Sequence, residues 1–399
     1  MNRDSGTAAM AAGAGKATGD ECEPTLDKRI CYLLESPDRV GANIRQQMLA
    51  LKRLHARTTI CFLSGDPDDF VPAGEVDEVV GLGLPHRALS GTRLRPALSL
   101  SRMLRKKSFD TLVCDQYKAV TTAALATALR RPERRPALYA LLRGFFAVDS
   151  RSRRRMYWLM RRRLSGIIAL THAQKRRFLE LLPWLTDDRV HVVHNYIDHE
   201  QVRAEMLERG TARRALGLPE DVFLFGTIAR FDPYKRLTDL LEAMSSIRTF
   251  APHARLVIIG DGRENVLLRH RADDLAVSDI VTFTGFLPKA RRYMRAFDVF
   301  VLPSEGDNFA RVFLEAMAAE LPIIGVKGGG SPEVLGPDAL LATPRDPESL
   351  ARHMRRLLGL KPDESTSIGR QAYMYSTRHF TPVKLRKQLL AALYTGGTL

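Results

Sequence analysis

Two acidic residues, Asp307 and Glu315, stand eight residues apart in the segment Pro303–Ala318, directly after the apolar run Asp298-Val-Phe-Val-Leu-Pro303. The run reads as a buried strand and the Leu-Glu-Ala-Met stretch as a helix. One carboxylate then falls in the connecting loop and the other about two turns into the helix. Both can face a single cleft beside the helix's unbonded first amides. Carboxylates accept hydrogen bonds from hydroxyls and helix-start amides attract phosphate, a combination suited to a sugar nucleotide. Taken alone, Asp307 reads equally well as an N-cap and Glu315 as a solvated helix position.

The surroundings narrow that choice. Gly226-Thr-Ile-Ala-Arg-Phe-Asp-Pro-Tyr-Lys-Arg236, Ile258-Ile-Gly-Asp-Gly262, Phe283-Thr-Gly-Phe286 and Gly328-Gly-Gly-Ser-Pro-Glu333 each close an apolar run in the same half of the chain. Loops at the carboxyl ends of strands in one parallel sheet converge on one site. Arg230 and Lys235 flank the turn at Pro233; as an isolated pair they would read as two solvated loop cations, but cations at a strand end can also stabilise charge that grows on a leaving group. Gly260–Gly262 reads as a turn after a strand. Glu333, after three glycines, either approaches a ligand or begins a helix.

Short β-rich runs alternate with helical patterns along the whole chain, which predicts an α/β protein of parallel sheets built from crossover units. The expected strands of the first half are 30–34, 58–63, 79–84, 111–114, 137–142, 166–170 and 190–193. Those of the second half are 222–228, 254–259, 280–283, 299–302, 323–326 and 340–342. Two doubly wound, Rossmann-like domains follow, facing an interdomain cleft that holds the chemistry. The expected divisions are a flexible tail over residues 1–28, a first domain over 29–200, a second over 201–372 and a closing helical segment over 373–399. In that last segment Leu385, Leu389, Leu390 and Leu393 recur at helical spacing.

A 399-residue chain is too long for one typical core and suits two domains. The hydrophobic share of 45% and charged share of 27% are those of a soluble globular protein. No run reaches membrane-spanning length, and the first residues lack a secretory apolar stretch, so a cytoplasmic location is expected. Cys22, Cys31, Cys61 and Cys114 are widely spaced without histidine partners, which suggests neither a zinc site nor a disulfide framework. The net charge of +16 is concentrated before residue 200, a surface attractive to nucleic acid, an anionic bilayer or phosphorylated acceptors. Arg151–Arg163 carries seven arginines around Met-Tyr-Trp-Leu-Met. Helical spacing puts Met156, Leu159 and Met160 near one face, either as a packing helix with a basic rim or as a membrane-surface helix with Tyr157 or Trp158 at the interface.

Residues 222–358, by the loops quoted above, resemble the donor-binding domain of retaining glycosyltransferases of family 4, which have the GT-B architecture; the likeness extends more faintly to the rest of the chain. That family has two glutamates separated by seven residues. Here Asp307 holds the first place and Glu315 the second, while Glu305 lies two residues too far away. The resemblance implies that Arg230 and Lys235 bind the donor diphosphate and act in catalysis with Asp307. It further implies that Glu315 accepts from the ribose, that Asp307 and the amides of Asn308, Phe309 and Ala310 hold the sugar, and that Gly285, Phe286 and Leu287 meet the base. Gly41 and Ala42 stand where the family has a glycine-glycine loop that needs one special backbone angle. Arg143 and the run Asp115-Gln-Tyr-Lys118 stand where the family often has a histidine, so Asp115, Lys118 and Arg143 become acceptor-side candidates. His172 and His194 read as loop or packing residues. The implied partners are a nucleotide sugar and a glycan or glycolipid acceptor such as lipopolysaccharide core, at the inner face of an anionic membrane. No metal or other cofactor is implied. A sugar-nucleotide epimerase is the alternative enzyme. A basic nucleic-acid-binding protein would explain the charge but not Arg230, Lys235, Asp307 and Glu315 at successive strand ends, so no nucleic acid is expected.

Overall fold

The computed structural model describes residues 25–128 and 130–394. Among these, thirteen strands form two sheets in which every pair is parallel. The first comprises β1 (Arg29–Leu34), β2 (Arg57–Ser64), β3 (Glu78–Leu84), β4 (Thr111–Asp115), β5 (Ala137–Leu141), β6 (Gly166–Ala169) and β7 (Val190–Val192). Its order is β3-β2-β1-β4-β5-β6-β7. The second comprises β8 (Phe223–Ile228), β9 (Ala254–Ile259), β10 (Val281–Gly285), β11 (Val299–Val301), β12 (Ile323–Val326) and β13 (Leu340–Ala342), in the order β10-β9-β8-β11-β12-β13. Each overlaps a strand read from the sequence, with ends shifted by a residue or two. The apolar runs are continuous because helices cover both sheet faces; in β4 all five residues are buried.

Strand order reverses between β1 and β4 and again between β8 and β11. At such a switch the flanking crossovers leave in opposite directions, and a crevice opens beyond the carboxyl ends of the strands. The loops quoted from the sequence sit there. Two helices, His199–Glu205 and Arg209–Ala215, connect the sheets. Arg213 is buried in this connection, donating to the carbonyls of Ala296, Glu220 and Val222 and to the Asp298 carboxylate at 2.6–3.0 Å.

Three expectations change. The closing segment is two helices, Pro362–His379 and Pro382–Tyr394, because Pro382 cannot donate to a preceding turn and Thr381 caps the new helix through Lys384 N at 3.2 Å. The second buries Leu385, Leu389 and Leu393 and packs on the first domain's helix Ala42–Arg53, with Leu390 half-buried. Residues 25–28 belong to the folded body, since Leu26 is buried with its N–H donated to Leu54 O at 2.7 Å; the rest of the expected tail lies outside the described residues. In the arginine-rich stretch, helix Arg151–Met160 buries Tyr157 and Met160 and exposes Met156, Trp158 and Leu159. Tyr157 and Met160, three residues apart, turn to one side and leave Met156 and Leu159 outside. Tyr157 is therefore a core residue, and only Trp158 could serve as an interfacial ring.

Among the described residues, no helix is long and apolar enough to cross a membrane. Cys31, Cys61 and Cys114 are free and buried on β1, β2 and β4; Cys22 lies outside the described residues.

Candidate active site in the interdomain cleft

A cleft of about 690 Å³ opens where the carboxyl ends of the two sheets face one another. The second domain lines it with Arg230, Tyr234, Lys235, Phe286, Leu287, Asp307, Phe309, Ala310, Arg311 and Glu315, and the first with Asn43, Arg143, Leu170 and Asn195. The sequence thus brings together Arg230, Lys235, Asp307 and Glu315 as expected from their places after β8 and β11. Gly41 and Ala42 lie beside the cleft through Asn43, and Gly285 through Phe286. Asp115 and Lys118 line an adjoining cavity instead.

Lys235 ends a short turn starting at Pro233, which directs its ammonium inward to Asp307 Oδ2 at 2.6 Å, both side chains largely buried. The two charges thus compensate each other within the cleft wall. Arg230 reaches out from the end of β8, its side chain exposed, and donates to Asp232 and, at 3.1 Å, to Tyr234 Oη. Beneath this loop the Gly260–Gly262 turn accepts Phe231 N on Asp261 O at 2.9 Å, so the turn supports the loop carrying Arg230.

Helix Arg311–Ala318 begins at Ala310, whose side chain cannot cap it, which leaves the first amides available to a ligand. Burial raises the Glu315 carboxyl above its ordinary range, against the opposing pull of Arg311 and Arg291. A carboxylate in such surroundings gains from hydroxyl donors that replace the lost water. Glu305 pairs with Arg345 through two contacts of 2.8 Å and does not line the cleft.

The triple-glycine loop has a different task from ligand contact. Gly330 N donates to Asp307 O at 2.9 Å, and a Cβ on Gly330 would fall 1.7 Å from Asn308 O. The loop therefore braces the backbone that carries Asp307, an approach open only to glycine. Gly41 departs from expectation: its φ of −79° is ordinary extended backbone. A Cβ there would lie 2.9 Å from Asn43 Oδ1, the end of a side chain.

On the first domain, Asp115 at the end of β4 is buried and grips Arg143 at 2.6 and 2.7 Å. Burial raises the Asp115 carboxyl, and the bonds and charge of Arg143 only partly offset this. Asp115 thus positions the guanidinium at the cleft wall, and Lys118 is paired with Glu35 at 2.6 Å.

Several pairings between the domains were not read from the sequence. The Asn308 amide accepts from Thr171 Oγ1 at 2.7 Å and donates to Gln174 Oε1 at 2.5 Å, a buried bond network from one domain to the other. Glu333 accepts from the amides of His172 (3.0 Å) and Ala173 (3.2 Å) and from His194 Nε2 (2.6 Å). Gln388 on the last helix fixes that tautomer: its oxygen takes the His194 amide at 3.0 Å, so its nitrogen must donate to His194 Nδ1 at 2.7 Å. Phe309 stacks edge-on with Phe380, 5.3 Å between centroids, tying the Asp307 loop to the break before the last helix. His172, His194 and Glu333 offer ligand atoms within 4.8 Å of one another, yet the carboxylate is already engaged by these donors. Asn195 lines the cleft with a buried Oδ1 that has no partner among the described residues. Only polar residues just past strand ends, such as Asn195 after β7, carried a signal for this; the pairings between domains had none.

The chain matches two family models, Glycosyltransferase Family 4 over residues 42–201 and Glycosyl transferases group 1 over residues 208–374. It is 29% identical to N-acetyl-alpha-D-glucosaminyl L-malate synthase of Bacillus anthracis over 42% of this chain and 43% of that protein. It is 30% identical to the lipopolysaccharide core biosynthesis glycosyltransferase LpsE of Rhizobium meliloti over 37% of this chain and 42% of that protein. These matches thus span less than half the length of either relative. Among solved structures, Anabaena HepE in complex with UDP-glucose superposes with a TM-score of 0.76 at 20% identity, covering 92% of this chain and all of that one, a likeness of fold. Two parallel sheets meeting at a cleft, and matches to the models of both halves, place the chain in family 4 of the GT-B glycosyltransferases.

Proposed function

We propose that the protein transfers a sugar from a nucleotide-sugar donor to a hydroxyl of a glycan acceptor, with retention of configuration and without a metal. The observation that carries this reading is the convergence of Arg230, Lys235, Asp307 and Glu315 on one cleft. In this reading Arg230 and Lys235 hold the diphosphate and stabilise the charge that develops on it. Asp307 and the amides of Phe309 and Ala310 hold the sugar, Glu315 accepts from the ribose, and Phe286 and Leu287 flank the base. The leaving phosphate, held by these cations, takes the proton of the attacking hydroxyl. Arg143 faces the donor from the other domain and is positioned by Asp115. The binding of UDP-glucose named for HepE supports a nucleotide-sugar donor.

For the acceptor we propose a lipid-linked saccharide such as lipopolysaccharide core, met at the cytoplasmic face of an anionic membrane. Support comes from the LpsE match and from helix Arg151–Met160, which exposes Trp158 and Leu159 among arginines. Thermal-shift screening against nucleotides and nucleotide sugars tests the donor, and proton NMR of the product's anomeric signal tests retention. Stabilisation by no nucleotide would refute the reading.

A further inference from the structure

Beyond Asp307 the cleft continues into the first domain. A space of about 300 Å³, bounded by Asp307, Tyr234, Arg143, Gln116 and Arg153, leads on to a cavity of about 480 Å³. Gln116, Ala147 and Arg153 line both, so the two spaces share a wall.

The far cavity is built around cations. Arg39, Arg93, Lys118 and Arg153 line it, with Glu35 and Asp115 as its acidic members. Those two carboxylates are occupied, Asp115 by Arg143 and Glu35 by Lys118. Arg93 and Arg153 form no ion pair among the described residues. Arg93 bonds Thr121 Oγ1, and Arg153 donates to Ala147 O at 3.3 Å. Their guanidinium carbons lie 4.7 and 5.7 Å from the centroid of the Tyr117 ring, so both charges rest against one aromatic side chain. Neither charge is neutralised by a carboxylate among the described residues, so both are free to meet an anion.

An independent observation points the same way. Tyr157 is fully buried and lines this cavity, yet its hydroxyl has no hydrogen-bond partner among the described residues. A buried phenol without a partner is unfavourable by itself. Burial also pushes its ionisation upward, so it remains a donor at neutral pH. Two bordering residues, Arg93 (φ 56°) and Gln116 (φ 64°), have the left-handed backbone that side-chain-bearing residues rarely adopt.

We infer that this cavity binds a phosphoryl group carried by the acceptor, held by Arg93, Arg153 and the Tyr157 hydroxyl while the acceptor's nucleophilic end extends past Gln116 towards Asp307. This rests on the glycosyltransferase reading of the cleft. Two guanidinium groups and a hydroxyl supply donors from three positions, which suits a tetrahedral oxyanion better than a planar carboxylate.

Isothermal titration with inorganic phosphate, in the presence of saturating UDP, tests the site while the donor diphosphate position is filled. The parent should bind phosphate, and Arg93→Gln, Arg153→Gln and Tyr157→Phe should each weaken it, the arginine changes by about tenfold to a hundredfold. UDP affinity should be unchanged in all three, which also shows that they fold. Unaltered phosphate affinity in the arginine variants, loss of all phosphate binding when UDP is added to the parent, or malonate binding as tightly as phosphate would overturn the assignment. Failure of UDP to bind the parent would count instead against the donor reading. Glycerol 3-phosphate titration and sedimentation with phosphatidic-acid vesicles separate a soluble from a lipid-borne phosphoryl group, and Arg93→Gln should diminish whichever interaction the parent shows.

Discussion

Replacing Glu333 by glutamine should loosen the two domains without touching the donor cleft. The carboxylate accepts from three donors of the first domain: the amides of His172 and Ala173 and the Nε2 proton of His194. A glutamine of the same size has one oxygen, so its NH2 must face a donor on the other side. With the oxygen kept towards His172 and His194, the Ala173 amide is left unbonded, which costs about 1–3 kcal/mol. The two retained bonds also lose their charge, worth about 1 kcal/mol each. Because the Glu333 side chain is 20% exposed, water recovers part of that loss, and a net of about 2–3 kcal/mol remains. For a protein of this size such a change lowers the unfolding midpoint by about 2–4 °C.

The pH dependence has a definite sign. Burial pushes the Glu333 carboxyl up, but the bonds from His194, His172 and Ala173 outweigh it and bring it below its ordinary 4.5. A depressed folded value means the stabilisation is fully present above about pH 4.5 and is lost as pH falls through that lower value. Melting curves of parent and variant should therefore be separated at pH 7 and approach each other in acid. Curves within about 1 °C at pH 7, or a gap that widens in acid, would refute the reasoning.

Other changes probe the cleft and the frame. Lys235→Ala or Arg230→Ala should lower turnover about a hundredfold at saturating donor, as expected when one preorganised charge is removed from the transition state; unchanged kinetics would exclude both from the site. Asp307→Asn should impair transfer while leaving nucleoside-diphosphate affinity, measured by calorimetry, nearly intact, whereas Glu315→Gln should weaken that affinity itself; equal affinity losses would contradict the division. Arg213→Ala removes the buried cation from three carbonyls and from the Asp298 carboxylate, which keeps Arg209 and the Leu224 amide; it should cost about 3–5 kcal/mol, read as a lowered urea midpoint with catalytic constants preserved in the remaining folded enzyme.

The architecture was legible because parallel strands covered on both faces are continuous apolar runs, and each such run became a strand. Asp307, Glu315, Arg230 and Lys235 were legible because each follows a strand in the same sheet, and chain order alone brings such residues to one end. The roles of Asn308 and Glu333 were not. Their partners lie 134 to 161 residues away in sequence, and a one-dimensional pattern carries no register between two domains. Tyr157 was misplaced for a related reason: a short amphipathic helix with apolar residues on several sides does not say which of them meets the sheet. The division at Pro382 was visible as a proline, and the helical spacing on either side concealed it.

The last helix gives the chain an order of completion. Leu385, Leu389 and Leu393 cover a strip of the first domain next to helix Ala42–Arg53, and Lys28 Nζ reaches Leu393 O at 2.7 Å. Roughly 190 residues separate the end of β7 from the start of that helix, about 10–40 s at a synthesis rate of about 5–20 residues per second. Throughout that interval the amino-terminal sheet is complete in strands but bare along that strip. A ribosome stalled after β13 would hold a first domain with a sticky seam, and a truncation that removes only the last thirteen residues of the described chain should cause aggregation through the amino-terminal half, farthest in sequence from the cut.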